Sequence, residues 1–356
     1  MAIDAFQAER PIGSSPTRPR SVVDRLLTLV DRMPGPASLW FAVFALVLLA
    51  LAHALIWATG ARPVGELEPE VFPPTVILAY FLWLLNLLNR VASSSFDAFR
   101  PALGGTADEQ EHHRLALTSI PDRVAIVAVV VVEVVVNLGY YGTVRPLRPP
   151  LPVAVEFGSG IIYWLVAAAI GLLIVHGIRQ LRLVSRLSAL ATNVDIFKPG
   201  PVTALSRLTA ATAIGIIAFV AAFALTTPVT VPTTELAALP TFIVELMALM
   251  ALAIASFVLP LRVMHGRLLE EKNDLLGAAQ DRLKTTLGRL HEAVEAHDLS
   301  NADQLNKTLS SVLAERDVLA KLSTWPWSTG TFRGVASAVL LPIVIFVLTR
   351  LIDQLI

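Results

Sequence analysis

The sequence predicts an all-α, polytopic integral membrane protein with seven transmembrane helices and a cytoplasmic antiparallel helical hairpin between the sixth and the seventh. Three observations predict it. Long uncharged blocks dominate a chain that is 55% hydrophobic and 16% charged, with a mean hydropathy of +0.67; soluble domains carry roughly a quarter of charged residues. Lysine and arginine collect on alternate connections between those blocks. One long connection, 262–333, is amphipathic rather than uniformly apolar.

The N-terminal segment 1–36 is polar and contains five arginines, so it does not read as a cleaved signal peptide. Within it, residues 21–33 have the spacing of a short amphipathic helix, expected to lie on the membrane surface. A membrane-crossing helix needs about 20 mostly apolar residues. Segments near 38–59, 74–93, 123–143, 158–177, 207–227, 239–261 and 334–352 meet that requirement. The first is uniformly apolar. The second begins at Pro73-Pro74 and carries Asn86 and Asn89 before Arg90. The third is a valine-rich run interrupted by Glu133 and Asn137. The fourth contains Gly158, Gly160 and Gly171, small residues that permit close helix approach. The fifth is rich in alanine and threonine, the sixth carries Glu245, and the seventh contains Pro342, which a bundle can accommodate.

Orientation follows from the positive-inside rule. With seven crossings, all but four of the 28 lysines and arginines fall on one side; the exceptions are Arg62, Arg145, Arg148 and Arg350. The expected N-terminus is therefore cytoplasmic, and the expected compartment is the cell membrane, a bacterial inner membrane. Outer connections are short and rich in proline, as at Pro146, Pro149, Pro150 and Pro152.

The connection 262–333 holds Leu276, Leu283, Leu287, Leu290 and Val294 at helical spacing, then a turn at 296–299, then Leu305, Leu309, Val312, Leu319 and Leu322 on a second apolar face. Ser300 with Asp303 is a plausible capping pair. The first helix spans roughly 50 Å and the second about 33 Å at 1.5 Å per residue. The segment Trp325-Pro326-Trp327 returns the chain to the membrane, where its indoles are expected to anchor at the interface. The expected division is a tail at 1–36, a six-helix transmembrane region at 37–262, a coiled-coil-like hairpin at 263–323, and an interfacial segment with the seventh helix at 324–356. The short run 197–201, Phe-Lys-Pro-Gly-Pro, reads as a rigid turn packed on the inner mouth of the bundle. The run 109–113, with Glu109, Glu111, His112 and His113, reads as a solvated loop.

Glu133 is the sharpest functional signal. It lies roughly 14 Å inside its span, where a carboxylate costs about 2.5–3.5 kcal/mol or more. Asn137 is one turn along on the same face. Glu245 and His53 enter from the outer side, so these four are the intramembrane polar candidates. Two readings stay open: a proton or cation site, or a neutral glutamate hydrogen-bonded between helices that fixes their rotation.

Other chemistries are excluded or unsupported. The chain has no cysteine, which removes disulfides, c-type haem attachment and thiolate sites. All five lysines lie outside the spans, so no retinal Schiff base is expected. His291-Glu292 and His297 lack the spacing of a zinc helix, because six residues separate the histidines where four are needed. No catalytic residue, metal site or cofactor is expected. Charges of both signs interleave over 262–333, which argues against a nucleic-acid partner. The expected partners are the lipid bilayer and, through 263–323, a cytoplasmic protein or a second copy of the chain. The leading expectation is a non-enzymatic signalling or interaction protein; the alternative is a proton- or cation-coupled transporter or channel using Glu133 and Glu245.

Overall fold

The computed structural model describes residues 21–139, 152–230, 239–297 and 300–355. Twelve α-helices are named in chain order: α1 Val22–Arg32, α2 Ala37–Ala58, α3 Phe72–Phe99, α4 Ala107–Thr118, α5 Asp122–Gly139, α6 Val153–Leu190, α7 Pro199–Thr203, α8 Ser206–Thr230, α9 Leu239–Val258, α10 Arg262–Glu295, α11 Ala302–Lys321 and α12 Thr329–Leu355. Among the described residues there is no β-strand, only an isolated antiparallel bridge between Leu103 and Ala191. Among the described residues, five helical stretches are long and apolar enough to cross a membrane: Ala37–Ala58, Pro69–Ala102, Val153–Leu190, Pro199–Ala222 and Met247–Glu295. They make the chain compatible with a multi-pass membrane protein in contact with lipid. The other two expected crossings coincide with α5, whose expected last residues 140–143 lie outside the described residues, and with α12.

The bundle is organised around α3 and α6. Pro73 and Pro74 start α3, at the position where a missing backbone N–H costs nothing. Two close approaches set the helix seams. A Cβ on Gly171 of α6 would stand 2.8 Å from the carbonyl oxygen of Ala128 on α5. One on Gly215 of α8 would stand 2.6 Å from Leu84 of α3, and the Tyr80 hydroxyl donates to the Gly215 carbonyl at 2.6 Å. At the end of the bundle where the α2–α3 connection lies, Ile56, Leu78, Phe81, Val155 and Ile162 form a buried cluster joining α2, α3 and α6. Most of α5 away from α6 is exposed, including Ile126, Val127, Val131 and Val135.

The opposite end of the bundle holds more structure than expected. α3 continues past residue 93 to Phe99, and α6 past residue 177 to Leu190. Apolar residues keep helical spacing through these extensions. Phe96, Phe99, Val184 and Leu187 are fully buried, packed with Leu117, Leu205, Leu208, Leu261 and Met264. The result is a folded layer beneath the bundle. Its seam is pinned where Thr192 and Asn193 N–H groups donate to the Ala102 carbonyl at 3.0 and 3.2 Å. The expected turn at 197–201 includes the start of α7, whose Val202 is buried in the same layer.

Residues 109–113, expected as a solvated loop, instead belong to α4. Thr106 is the N-cap and forms a reciprocal capping box with Glu109: the Glu109 N–H donates to the Thr106 hydroxyl, and the Thr106 N–H donates to the Glu109 carboxylate at 2.8 Å. Helix α1 forms over the expected residues. It is docked on the bundle as well as amphipathic, with Leu27 buried against a cluster containing Phe41, Leu85, Ile120 and Ala125.

Helices α10 and α11 run side by side in opposite directions. Lys272 Nζ donates to the carbonyls of Ala320 and Leu322 at 2.7 and 2.8 Å, and Arg282 pairs with Glu315 at 2.8 Å. Leu276, Leu283, Leu287 and Leu290 are half-buried and Val312 and Leu319 buried, while Val294 is exposed. The N-cap of α11 is Asn301, without a side-chain cap bond, in place of the expected pair of Ser300 and Asp303; Asp303 pairs with Lys307 instead.

Candidate functional site

The α5–α6 seam contains the first of the candidate polar groups, Glu133 and Asn137. Gly171 lets the two helices touch at Ala128, and the next turns of α5 bring Glu133 and Asn137 to the margin of that contact. Asn137 Nδ2 donates to both the Glu133 carbonyl at 2.8 Å and the Glu133 carboxylate at 3.1 Å. Trp164 of α6 donates its indole N–H to Asn137 Oδ1 at 3.3 Å. Both Glu133 and Asn137 are half-buried. Asn137 therefore bridges a carboxyl group and an indole across two helices, an arrangement able to hold or exchange a proton at Glu133.

His53 is placed elsewhere. It is buried, donates from Nδ1 to the Leu49 carbonyl at 2.8 Å and accepts from the Glu68 N–H at Nε2, 3.0 Å away. These bonds fit the tautomer with its proton on Nδ1. Trp57 and Phe72 pack against it. The Glu68 carboxylate, nearly buried, is paired with Arg62 at 2.9 Å, and Arg62 also reaches Glu66. The guanidinium of Arg62 is held above its ordinary pKa, first by its hydrogen bond to Glu68 and then by the charges of Glu68 and Glu66. This assembly latches the connection between α2 and α3 onto the end of α2, and its contacts do not reach Glu133 or Asn137. Glu245 lies in α9, and its side chain is outside the described residues.

Trp325 and Trp327 enter an aromatic column. His265 of α10 stacks on Trp325 with ring centroids 4.0 Å apart and planes 7° from parallel, and Trp325 stacks on Trp327 at 4.4 Å. Trp327 continues to Phe257 of α9 and Phe332 of α12. His265 Nδ1 donates to the Thr324 carbonyl at 3.0 Å. Arg267 donates to the carbonyls of Ser188 and Ala189 at the C-terminal end of α6, where orphan carbonyls accept cations well, and the Ser185 hydroxyl bonds the Pro260 carbonyl. The base of α10 is thus tied to α6, α9 and α12.

Sequence reasoning missed a second buried polar cluster. His176 of α6 donates from Nε2 to Asn89 Oδ1 of α3 at 2.5 Å, and Gln180 donates to the same oxygen at 3.3 Å and to the Leu117 carbonyl at 3.1 Å. His176 and Gln180 are each 1% exposed. Their spacing of four residues was the available signal, since it aligns them on one face of α6; nothing in the spacing named Asn89 as their partner. This cluster stitches α3, α6 and the end of α4 together. Among the described residues, no group of three or more histidines, aspartates or glutamates is placed to hold a metal ion.

A shallow cleft of about 370 Å³ lies where the 196–197 turn meets α10 and α11, lined by Phe197, Leu275, Ala314, Glu315, Val318 and Leu319. Compared with protein families, with curated proteins and with solved structures, the chain matches none.

Proposed function

We propose that the chain is a non-enzymatic protein of a bacterial inner membrane that crosses the bilayer seven times, through α2, α3, α5, α6, α8, α9 and α12. In this reading the N-terminus is cytoplasmic and residues 263–323 project into the cytoplasm as a coiled-coil hairpin. The hairpin binds a cytoplasmic protein or a second copy of the chain, and so carries signalling or interaction. The observation that supports this most is the aromatic column of His265, Trp325, Trp327, Phe257 and Phe332. It joins both ends of the 263–323 segment to the helices on either side of it, so a shift of α9 against α12 is transmitted along a stiff base. In this reading Trp325 and Trp327 also serve the interfacial anchoring expected of them. The test is photo-crosslinking from Lys284, Val294 and Val318 in the full-length chain in membranes. An adduct of defined mass, with another protein or with a second copy, is expected; silence from all three positions counts against the reading.

The polar seam at Glu133 favours a second reading, a transporter or channel in which Glu133 and Glu245 couple to protons or cations. Its support is the half-buried carboxyl bonded to Asn137 within a valine-rich helix. Liposome flux assays distinguish the two readings. Proton or cation uptake that disappears in Glu133→Gln supports transport, and equal flux in parent and variant removes it.

A further inference from the structure

We propose that α1 is an in-plane membrane anchor selective for anionic phospholipid, with Val22, Leu26 and Leu29 entering the acyl layer and Arg25 and Arg32 meeting the headgroup phosphates. This rests on the topology proposed above, in which α2 crosses the bilayer and α1 lies at its cytoplasmic face.

The argument begins with how α1 distributes its side chains. Its acids turn toward the protein. Asp31 pairs with Arg90 and accepts from Asn86 at 3.0 Å, both on α3. Asp24 completes a capping box with Ser21 and accepts from the Ile120 N–H at 3.4 Å, and Asp122 at the start of α5 accepts from the Val22 N–H at 3.0 Å. Leu27 is buried beside Val23 and Val30. Docking therefore uses one flank of the apolar arc. The other flank is bare: Val22, Leu26 and Leu29, on successive turns, are 61%, 59% and 54% exposed.

Arg25 and Arg32 are both exposed and stand two helical turns apart, one turn to either side of Leu29. The basic residues thus border the bare stripe, while the acids sit across the helix against the protein. A stripe of this kind flanked by arginine is the pattern of a helix lying in the headgroup region, and anionic lipid supplies the complementary charge. The stripe also adjoins an apolar surface already turned outward. Four residues after α1 the chain reaches Pro36, and α2 then exposes Leu39, Val43, Phe44 and Leu46. Trp40, at the start of α2, bonds its indole N–H to the Pro34 carbonyl at 3.0 Å, at the level where indoles favour the membrane interface. The docking bonds hold the helix in one rotation, so the bare flank has a fixed direction.

The experiment uses the full-length protein in mild detergent, titrated with phosphatidylglycerol and separately with phosphatidylcholine, with bound lipid counted by native mass spectrometry. Phosphatidylglycerol should bind more tightly, and Arg25→Gln with Arg32→Gln should weaken it about ten-fold while leaving phosphatidylcholine unchanged. Leu26→Ser with Leu29→Ser should weaken both lipids. Equal affinity for the two lipids, or a double arginine variant that binds phosphatidylglycerol like the parent, overturns the proposal. A second measurement separates this from the topology. In vesicles of phosphatidylcholine with added phosphatidylglycerol, Leu29→Cys in this cysteine-free chain should resist a water-soluble maleimide from both sides. Rapid labelling from the cytoplasmic side overturns the anchor alone. Rapid labelling from the outer side overturns the topology, and the anchor with it.

Discussion

A Cβ at position 171 would meet the Ala128 carbonyl oxygen at 2.8 Å, whereas one at position 160 would meet nothing within 4 Å and one at 158 only Leu55 at 4.0 Å. The three glycines share a helix and a composition, yet one of them sets a seam. Gly171→Leu should push α5 away from α6 and cost about 1–3 kcal/mol, the usual penalty of forced overpacking. Gly160→Ala should be neutral or slightly stabilising, since alanine is the better helix former. Unfolding of the two variants in mixed detergent micelles checks this. Altered Trp164 fluorescence in Gly171→Leu alone would report loss of the Asn137 bond. At Glu133 the residue type signalled an unusual position, and Asn137 four residues on named a partner by simple helical geometry. Trp164 could not be named in that way, because it depends on the rotation of α6 against α5.

Helix α4 shows what one element owes to its cap. Thr106 and Glu109 have the spacing of a capping box, but the polar run 109–113 carries no apolar stripe and reads as a solvated loop. Burial of Leu117 and Ile120 against α3 and α6 supplies what local sequence did not. The cap also gives the element a pH dependence. Hydrogen bonds from the Thr106 backbone and side chain, with help from the charge of His113, hold the Glu109 carboxyl below its ordinary value of 4.5. Burial first, then the charge of His112, holds the His113 imidazole below its ordinary 6.5 against the opposing pull of Glu109. For Glu109 the folded form prefers the ionised acid, so its contribution is complete above 4.5 and is lost as the pH falls through the lower folded value. For His113 the folded form prefers the neutral ring, so stability again falls as the pH drops below 6.5. Acidification should therefore loosen α4 in two stages. Amide-exchange protection over 107–118, corrected for intrinsic rates, should decline below 6.5 and again below 4.5. Glu109→Gln should abolish the second stage, and Thr106→Val should cost about 1 kcal/mol at neutral pH, less once Glu109 is protonated.

Across the whole molecule, the distribution of basic residues and the tied base of α10 make topology the property on which most else depends. Positions Val64 and Val153 are strongly exposed and lie on outer connections in the seven-crossing reading; Glu111 and Lys284 are exposed on inner ones. Cysteines introduced singly at these four positions should label with an impermeant maleimide in two pairs, Val64 with Val153 from outside and Glu111 with Lys284 from inside. Because α5 is what separates Glu111 from Val153, labelling of those two from the same side would remove the α5 crossing. The buried layer built by α4, α7 and the extensions of α3 and α6 should protect its backbone amides more strongly than the exposed end of α10, since Phe96, Phe99, Leu187 and Leu208 are fully buried there.

By itself the sequence determined the helical content, the near-register of the long apolar helices, the two amphipathic segments after residue 262 and the odd position of Glu133. All of these follow from length, hydropathy and charge, quantities that a short window of residues carries alone. Tertiary structure decided which glycine touches a neighbour, that His53 belongs to Glu68 while His176 belongs to Asn89, that α3 and α6 run on into a buried layer, and that α1 docks through its acids. In water, periodicity marks the inward face of a helix, because polar residues are driven outward. In a helix destined for lipid nearly every face is apolar, so that contrast vanishes, and the inward face is chosen by shape and hydrogen bonding to residues far away in the chain.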